Sequence, residues 1–163
     1  MQPLDQKAVR KAFVNASKSR AASATFPQEW PPAGVEDLDF VGWSDPKAPQ
    51  RAYVVVDGAV AADVTAIELR LSTSAGTVRK TMCDWCHSQD SGEGARLMVA
   101  RRAGRRGKAG DTVGLYVCAD FGCSRRARVP LKAHQLSVSG APDRRVPELV
   151  ERVRDFVLRV GGD

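Results

Sequence analysis

The sequence predicts an α+β fold: an antiparallel, β-rich domain with a helix at its N-terminus, an amphipathic helix at its C-terminus and a cysteine-bound treble clef between them. Three observations lead there. Segments at residues 51–57 and 64–72 concentrate or alternate apolar side chains as half-buried strands do. Near the C-terminus, one apolar stripe recurs at helical spacing. Four cysteines stand as two close pairs, Cys83 with Cys86 and Cys118 with Cys123.

Residues 5–22 read as one helix, because Leu4, Ala8, Val9, Ala12, Phe13 and Ala16 recur at helical spacing behind a capping Asp5. Pro27, Pro31 and Pro32 forbid its continuation. Residues 26–49 then read as irregular chain, anchored by Trp30, Phe40 and Trp43 as core aromatics. Tyr53-Val54-Val55-Val56, the turn pair Asp57-Gly58 and the alternation of Ile67, Leu69 and Leu71 with Glu68 and Arg70 predict a hairpin. Gly92 and Gly94 mark a loop, residues 97–100 a short strand, 101–110 a loop rich in glycine and arginine, and 113–118 a further strand. The cysteine pairs therefore flank a hairpin with a long basic tip. Pro147 fits the first turn of the last helix; Val146, Leu149, Val150, Val153, Phe156, Val157 and Val160 form its stripe, and Gly161-Gly162 end it. That stripe reads as packing on the sheet.

The chain has 163 residues, 43% of them hydrophobic, which suits one compact domain. No apolar run approaches the roughly 18–20 residues that span a bilayer, and residues 1–20 lack the apolar core of a secretory signal. A cytoplasmic protein is expected, where thiols stay reduced and clustered cysteines are metal ligands rather than disulfides. With two histidines, no phosphate-binding glycine loop, no Ser/His/Asp arrangement and no H-E-x-x-H, the sequence predicts no enzyme and no small-molecule substrate.

Cys83-Asp84-Trp85-Cys86 is a C-x2-C knuckle, and Cys118 to Cys123 is C-x4-C. Two such pairs predict one zinc ion held by Cys83, Cys86, Cys118 and Cys123, in a closed and hence structural site. His87, next to Cys86, is an alternative ligand, although four thiolates already complete the site. An iron–sulfur cluster would also accept four thiolates, but its usual spacings differ. A knuckle, a hairpin and a last ligand at a helix start, with Gly122 in the turn and residues 124–129 as the first helical turns, are the layout of a treble clef. The chain divides into an N-terminal helix at residues 1–26 and a single α+β zinc-finger domain at 27–163. The treble clef spans about 80–130 and the C-terminal helix about 146–160.

The net charge of +6 is concentrated. Between Arg96 and Lys132, ten basic residues face only Asp111 and Asp120, an excess larger than that of the whole chain. Such a field calls for an acidic or polyanionic partner. Arg101, Arg102, Arg105, Arg106 and Lys108, spaced by glycines, are the first candidates for that contact. Arg125, Arg126 and Arg128 follow the last cysteine and are candidates too, or serve to offset a tetrathiolate zinc centre of net charge −2. No aromatic residues interleave these arginines, which argues against a base-stacking single-strand binder. A general RNA-binding zinc finger stays open as a second reading.

Several motifs stand in one order: Trp43-Ser44-Asp45-Pro46, Arg51-Ala52-Tyr53, Met82-Cys83-Asp84-Trp85-Cys86, Arg101-Arg102-Ala103-Gly104, Asp111-Thr112-Val113-Gly114 and residues 116–124. Over roughly residues 5–160 this resembles the C-terminal treble-clef zinc-finger domain of the fusidic-acid-resistance family, whose members bind elongation factor G. The resemblance implies four zinc-ligating cysteines at the matched positions and a mixed α/β domain around them. It also implies a non-enzymatic role in releasing elongation factor G from the ribosome when fusidic acid traps it there. Only about 40 residues precede the Trp43 motif, room for one helix, so the chain resembles the stand-alone, zinc-finger-only branch. A monomer that binds elongation factor G, the ribosome or both is the expectation.

Overall fold

The computed structural model describes residues 1, 4–60, 64–72, 81–88, 93–131 and 142–162. Gly92 and Lys132, noted in the sequence, lie outside these, as does the second histidine, His134. Five strands form one antiparallel sheet in chain order: β1 (Val41–Asp45), β2 (Ala48–Asp57), β3 (Val64–Leu71), β4 (Ala95–Arg101) and β5 (Thr112–Cys118). The helices are α1 (Gln6–Lys11), α2 (Lys18–Ala22), α3 (Gly104–Lys108), α4 (Cys123–Arg128) and α5 (Arg145–Gly161). The α+β class read from the sequence is what the chain adopts. Among the described residues, no helix is long and apolar enough to cross a membrane.

Strand alternation gives the sheet two different faces. One carries Ala52, Val54, Val56, Ile67, Leu69, Met98, Leu115 and Val117, and packs with Leu149, Val153, Phe156, Val157 and Val160 of α5. The predicted stripe of the last helix is therefore spent inside the domain. The other face carries Val41, Trp43, Tyr53, Val55 and Ala66, and packs with Leu4, Val9 and Phe26 from the N-terminal segment.

The single helix expected over residues 5–22 is two short ones. Asp5 caps α1 by accepting from the Ala8 amide, and Ser17 caps α2 by accepting from the Arg20 amide. Between them the chain runs beside β3: Val14 N donates to Ala66 O at 3.0 Å and Ala66 N to Ala12 O at 3.0 Å. The physical reason lies in β3. It pairs with β4 only at Arg70 and Leu71, so the edge around Ala66 would otherwise hold unpaired amides. Phe13 meanwhile lays its ring edge-on against Tyr53, 5.5 Å between centroids.

Asn15 closes the fork where β3 and β4 part. Its side-chain oxygen accepts from Glu68 N at 2.8 Å, and its amide nitrogen donates to Glu68 O at 2.9 Å and to Arg101 O at 2.8 Å. One amide side chain thus does the pairing work of a missing strand residue. Arg20 caps the same place from α2, in a two-pronged ion pair with the buried carboxylate of Glu68.

The stretch expected to be irregular, residues 26–49, contains β1. Trp43 and Asp45 on β1 grip Thr25: Trp43 Nε1 donates to Thr25 O at 2.9 Å, and Asp45 accepts from Thr25 N at 3.2 Å. Asp45 also accepts from Lys47 N, Ala48 N and the Tyr53 hydroxyl. Burial alone would raise its pKa, but these hydrogen bonds outweigh it and hold the carboxyl below its ordinary value. Burial, and donation to Asp45, push Tyr53 up to about 12. Phe40 and Trp43 are buried as expected, and Trp30 is half-buried against Phe26 and Trp43.

Replacing Asn15 by Ala strands three backbone groups at the β3–β4 fork and should cost about 2–3 kcal/mol in urea denaturation. Asn15→Asp should cost a comparable amount, because it keeps the acceptor but loses both donors. A loss below about 0.5 kcal/mol for Asn15→Ala would contradict this account.

Candidate metal centre and basic tip

The four cysteines come together from three elements. Cys83 and Cys86 lie on the knuckle before β4, Cys118 ends β5 and Cys123 begins α4. All four sulfurs lie within 4.8 Å of one another, and none is in a disulfide. The short contacts run between segments: Cys83 Sγ to Cys123 Sγ is 3.7 Å and Cys86 Sγ to Cys118 Sγ is 3.6 Å. A tetrahedron of sulfurs bonded to zinc at about 2.3 Å has edges of about 3.8 Å. The set fits one zinc ion, and at this spacing the sulfurs surround a single ion rather than a polynuclear cluster. Cys83, Cys118 and Cys123 are buried and Cys86 is half-buried. Without a cation this crowding is unfavourable. Cys83 is held far below its ordinary pKa by donation from Cys118, Cys123 and Cys86, whereas Cys123, hydrogen-bonded to Cys118, Cys83 and Cys86, is pushed far above. A divalent ion would let all four ionise together.

The turns that aim the sulfurs are strained. His87 (φ 55°) and Phe121 (φ 53°) are the two non-glycine residues with left-handed backbone among those described, and each lies in one cysteine turn. His87 does not join the ligand set; its amide donates to Cys83 O at 2.9 Å and closes the knuckle. Phe121 sets its ring over β1, where a Cβ on Gly42 would meet it at 2.5 Å. Only glycine fits there.

Asp84 sets the knuckle against β5. Its amide donates to Tyr116 O at 2.8 Å, and its carboxylate accepts from Tyr116 N at 2.6 Å. That pairs the knuckle with the free edge of the strand that ends in Cys118. Trp85 anchors it from beneath, buried with its ring edge-on to Phe40 and Phe156. Arg152 of α5 donates to Trp85 O at 2.7 Å. These supports were not legible from cysteine spacing. The only signal for them was an aspartate and a tryptophan placed inside the knuckle.

The basic candidates divide in two. Arg126 binds the Asp120 carboxylate through two nitrogens, at 2.9 and 2.5 Å, which holds Asp120 below its ordinary pKa. Arg128 binds Asp39 at 2.6 and 2.9 Å and the carbonyl of Ser124 at 3.1 Å. Arg102 and Arg106 converge on Asp111, at 3.3 and 2.9 Å. Arg101, Arg105, Lys108 and Arg125 are exposed, and among the described residues no carboxylate pairs with them.

The tip is not the pliant loop expected from its glycines. It is the one-turn helix α3, tied to the end of α5 just before its first residue: Ala103 N donates to Val160 O at 2.7 Å, and Arg102 donates to Arg159 O. A Cβ on Gly107 would lie 1.7 Å from Arg102 O, so the turn closes only with glycine at that position.

Elemental analysis should find one zinc per chain. Cys118→Ser, or chelation of the wild type, should lower the melting temperature by roughly 10 °C or more, because the ion joins segments with few large apolar groups of their own. Near-native melting after complete removal of zinc would rule out a structural role.

A family model described as the FBP C-terminal treble-clef zinc-finger matches residues 8–160. No curated protein and no solved structure gives a significant match. The match spans the sheet, the four cysteines and α5, and it agrees with the motifs that the sequence shares with fusidic-acid-resistance proteins. This chain therefore belongs to the FBP C-terminal treble-clef zinc-finger family.

Proposed function

We propose that the protein is a non-enzymatic, translation-associated factor of the cytoplasm that binds elongation factor G, the ribosome or both, as a monomer, and favours release of the factor. The observation that carries this reading is the tip. A zinc-pinned hairpin holds α3 rigidly and presents Arg101, Arg105 and Lys108 outward without internal partners. Arg125 is exposed separately, on α4 at the zinc end of the hairpin, and Arg102, Arg106, Arg126 and Arg128 are bound to their own carboxylates. Exposed cations left unpaired on a rigid mount serve recognition better than stability. The resemblance to elongation factor G-binding proteins supplies the partner.

A set of four thiolates closes zinc's coordination shell and leaves no position for water or substrate, which supports a binding role over a catalytic one. Release of a bound factor then requires that this surface prefer one state of the factor or ribosome over another.

Immobilised protein should retain purified elongation factor G or 70S ribosomes. Arg105→Ser with Lys108→Ser should weaken retention about fivefold or more. Gly107→Ala, which removes no charge but displaces the α3 backbone, should weaken it as well. No retention on either partner rejects the proposal; full retention by Gly107→Ala rejects the requirement for a rigid tip.

A further inference from the structure

We propose that the half-exposed face of β4 and β5, together with the adjoining ends of β2 and β3, is a platform for single-stranded RNA. Leu97 and Val99 on β4 and Tyr116 on β5 alternate with residues of the α5-facing core, yet they belong to neither apolar core and remain half-exposed. Among the described residues the N-terminal segment covers this face over Glu68 with Asn15 and Arg20, and reaches its border at Arg101 O through Asn15 and at Arg51, whose guanidinium donates to Ser23 Oγ at 3.4 Å. Tyr116 stands opposite Leu97, and Gly114 opposite Val99. A Cβ on Gly114 would lie 3.6 Å from Leu97 Cδ1 and 3.7 Å from Val99 Cγ2, so these side chains flank a flat, open place in the strand. The result is a shallow apolar floor with one aromatic ring in it.

The rim is basic. Arg70 neighbours Val99 on β3, Arg51 neighbours Arg70 on β2, and Arg101 lies two residues along β4 from Val99. Arg51 and Arg70 are direct cross-strand partners, an arrangement of like charges that destabilises a sheet unless an anion sits between or above them. Among the described residues no carboxylate pairs with Arg51 or Arg101. Arg70 reaches Glu68 only at 3.7 Å, and Glu68 is already held by Arg20. Three arginines beside Val99, with Leu97 and a tyrosine further along the hairpin, complement a chain of phosphates with bases that can stack. A second copy of this surface would meet it with like charge. A duplex, whose bases are already stacked, would leave the floor unused.

This platform is distinct from the outer side of α3, although Arg101 contributes to both. Fluorescence anisotropy with a labelled single-stranded RNA of roughly twelve nucleotides tests it on the zinc-loaded chain, without elongation factor or ribosome. Single-stranded RNA should bind, and the matching duplex and a polyglutamate peptide should bind at least about tenfold more weakly. Tyr116→Ala should weaken binding about ten- to a hundredfold while Tyr116→Phe stays close to wild type. Gly114→Glu, which adds a negative charge to the floor without crowding it, should abolish binding. Arg51→Ser with Arg70→Ser should reduce the slope of log K against log salt by about 1.4, and Arg105→Ser with Lys108→Ser should leave affinity within about twofold. All variants are compared at equal zinc content. No binding, equal binding of duplex or polyglutamate, or unchanged affinity in both Tyr116→Ala and Gly114→Glu would overturn the proposal, and none of these outcomes bears on docking by the tip.

Discussion

The arrangement depends on one set of contacts: two sulfurs from the knuckle meeting two from the end of β5 and the start of α4. Their short approaches cross between segments that are 32 and 40 residues apart, so an ion among them constrains the β4–β5 hairpin from outside. The surroundings are built to the same end. Asp84 locks the knuckle to the edge of β5, Arg152 ties it to α5, and Phe121 carries the second turn across to Gly42 on β1. Metal affinity here is also folding energy, because neither turn has a reason to hold its left-handed residue without the sulfurs meeting.

Much of the shared motif set is scaffold. Trp43 and Asp45 clamp Thr25 and, through Tyr53, fasten β1 to β2. Asp111 gathers two arginines and closes α3, since Arg102 N donates to Asp111 O and Asp111 N to Arg106 O. Asp120 holds Arg126 against the cysteine turn. Acidic residues are few between β4 and α4, and each sits where a cation must be fixed for the fold. The arginines left outside these pairs are therefore the ones free to meet a partner.

The metal site was legible in the sequence because its signal is local: C-x2-C and C-x4-C report ligand geometry directly. β2, β3 and α5 were legible because their apolar spacing matches one period over enough residues. β1 was not, since Val41-Gly42-Trp43-Ser44-Asp45 has no run long enough to register, and its strand character comes from pairing with β2 and seating Phe121. The N-terminal segment misled for the opposite reason. Phe13 keeps helical spacing with Val9 and Ala16, but the open edge of β3 competes for that stretch and wins, because unpaired amides at Ala66 would cost more than a helix interrupted. The tip glycines read as freedom, whereas Gly107 is there to let the backbone close on Arg102.

Tyr116 shows most clearly what a one-dimensional reading omits. In the sequence it is an isolated aromatic two residues before a metal ligand, far from Arg51 and Arg70. Antiparallel pairing lines Arg51, Arg70, Val99 and Gly114 across four strands and puts Tyr116 beside them. No aromatic interleaves the arginines along the chain, and across the sheet one tyrosine, two residues from Gly114, stands at the end of their row. The same hairpin thus offers two surfaces of different chemistry. Its tip is a cluster of exposed cations, and its outer sheet face combines cations with Leu97, Val99 and Tyr116. Zinc, by fixing the hairpin's base, sets the geometry of both at once, so any partner that binds either surface also stabilises the metal-bound fold.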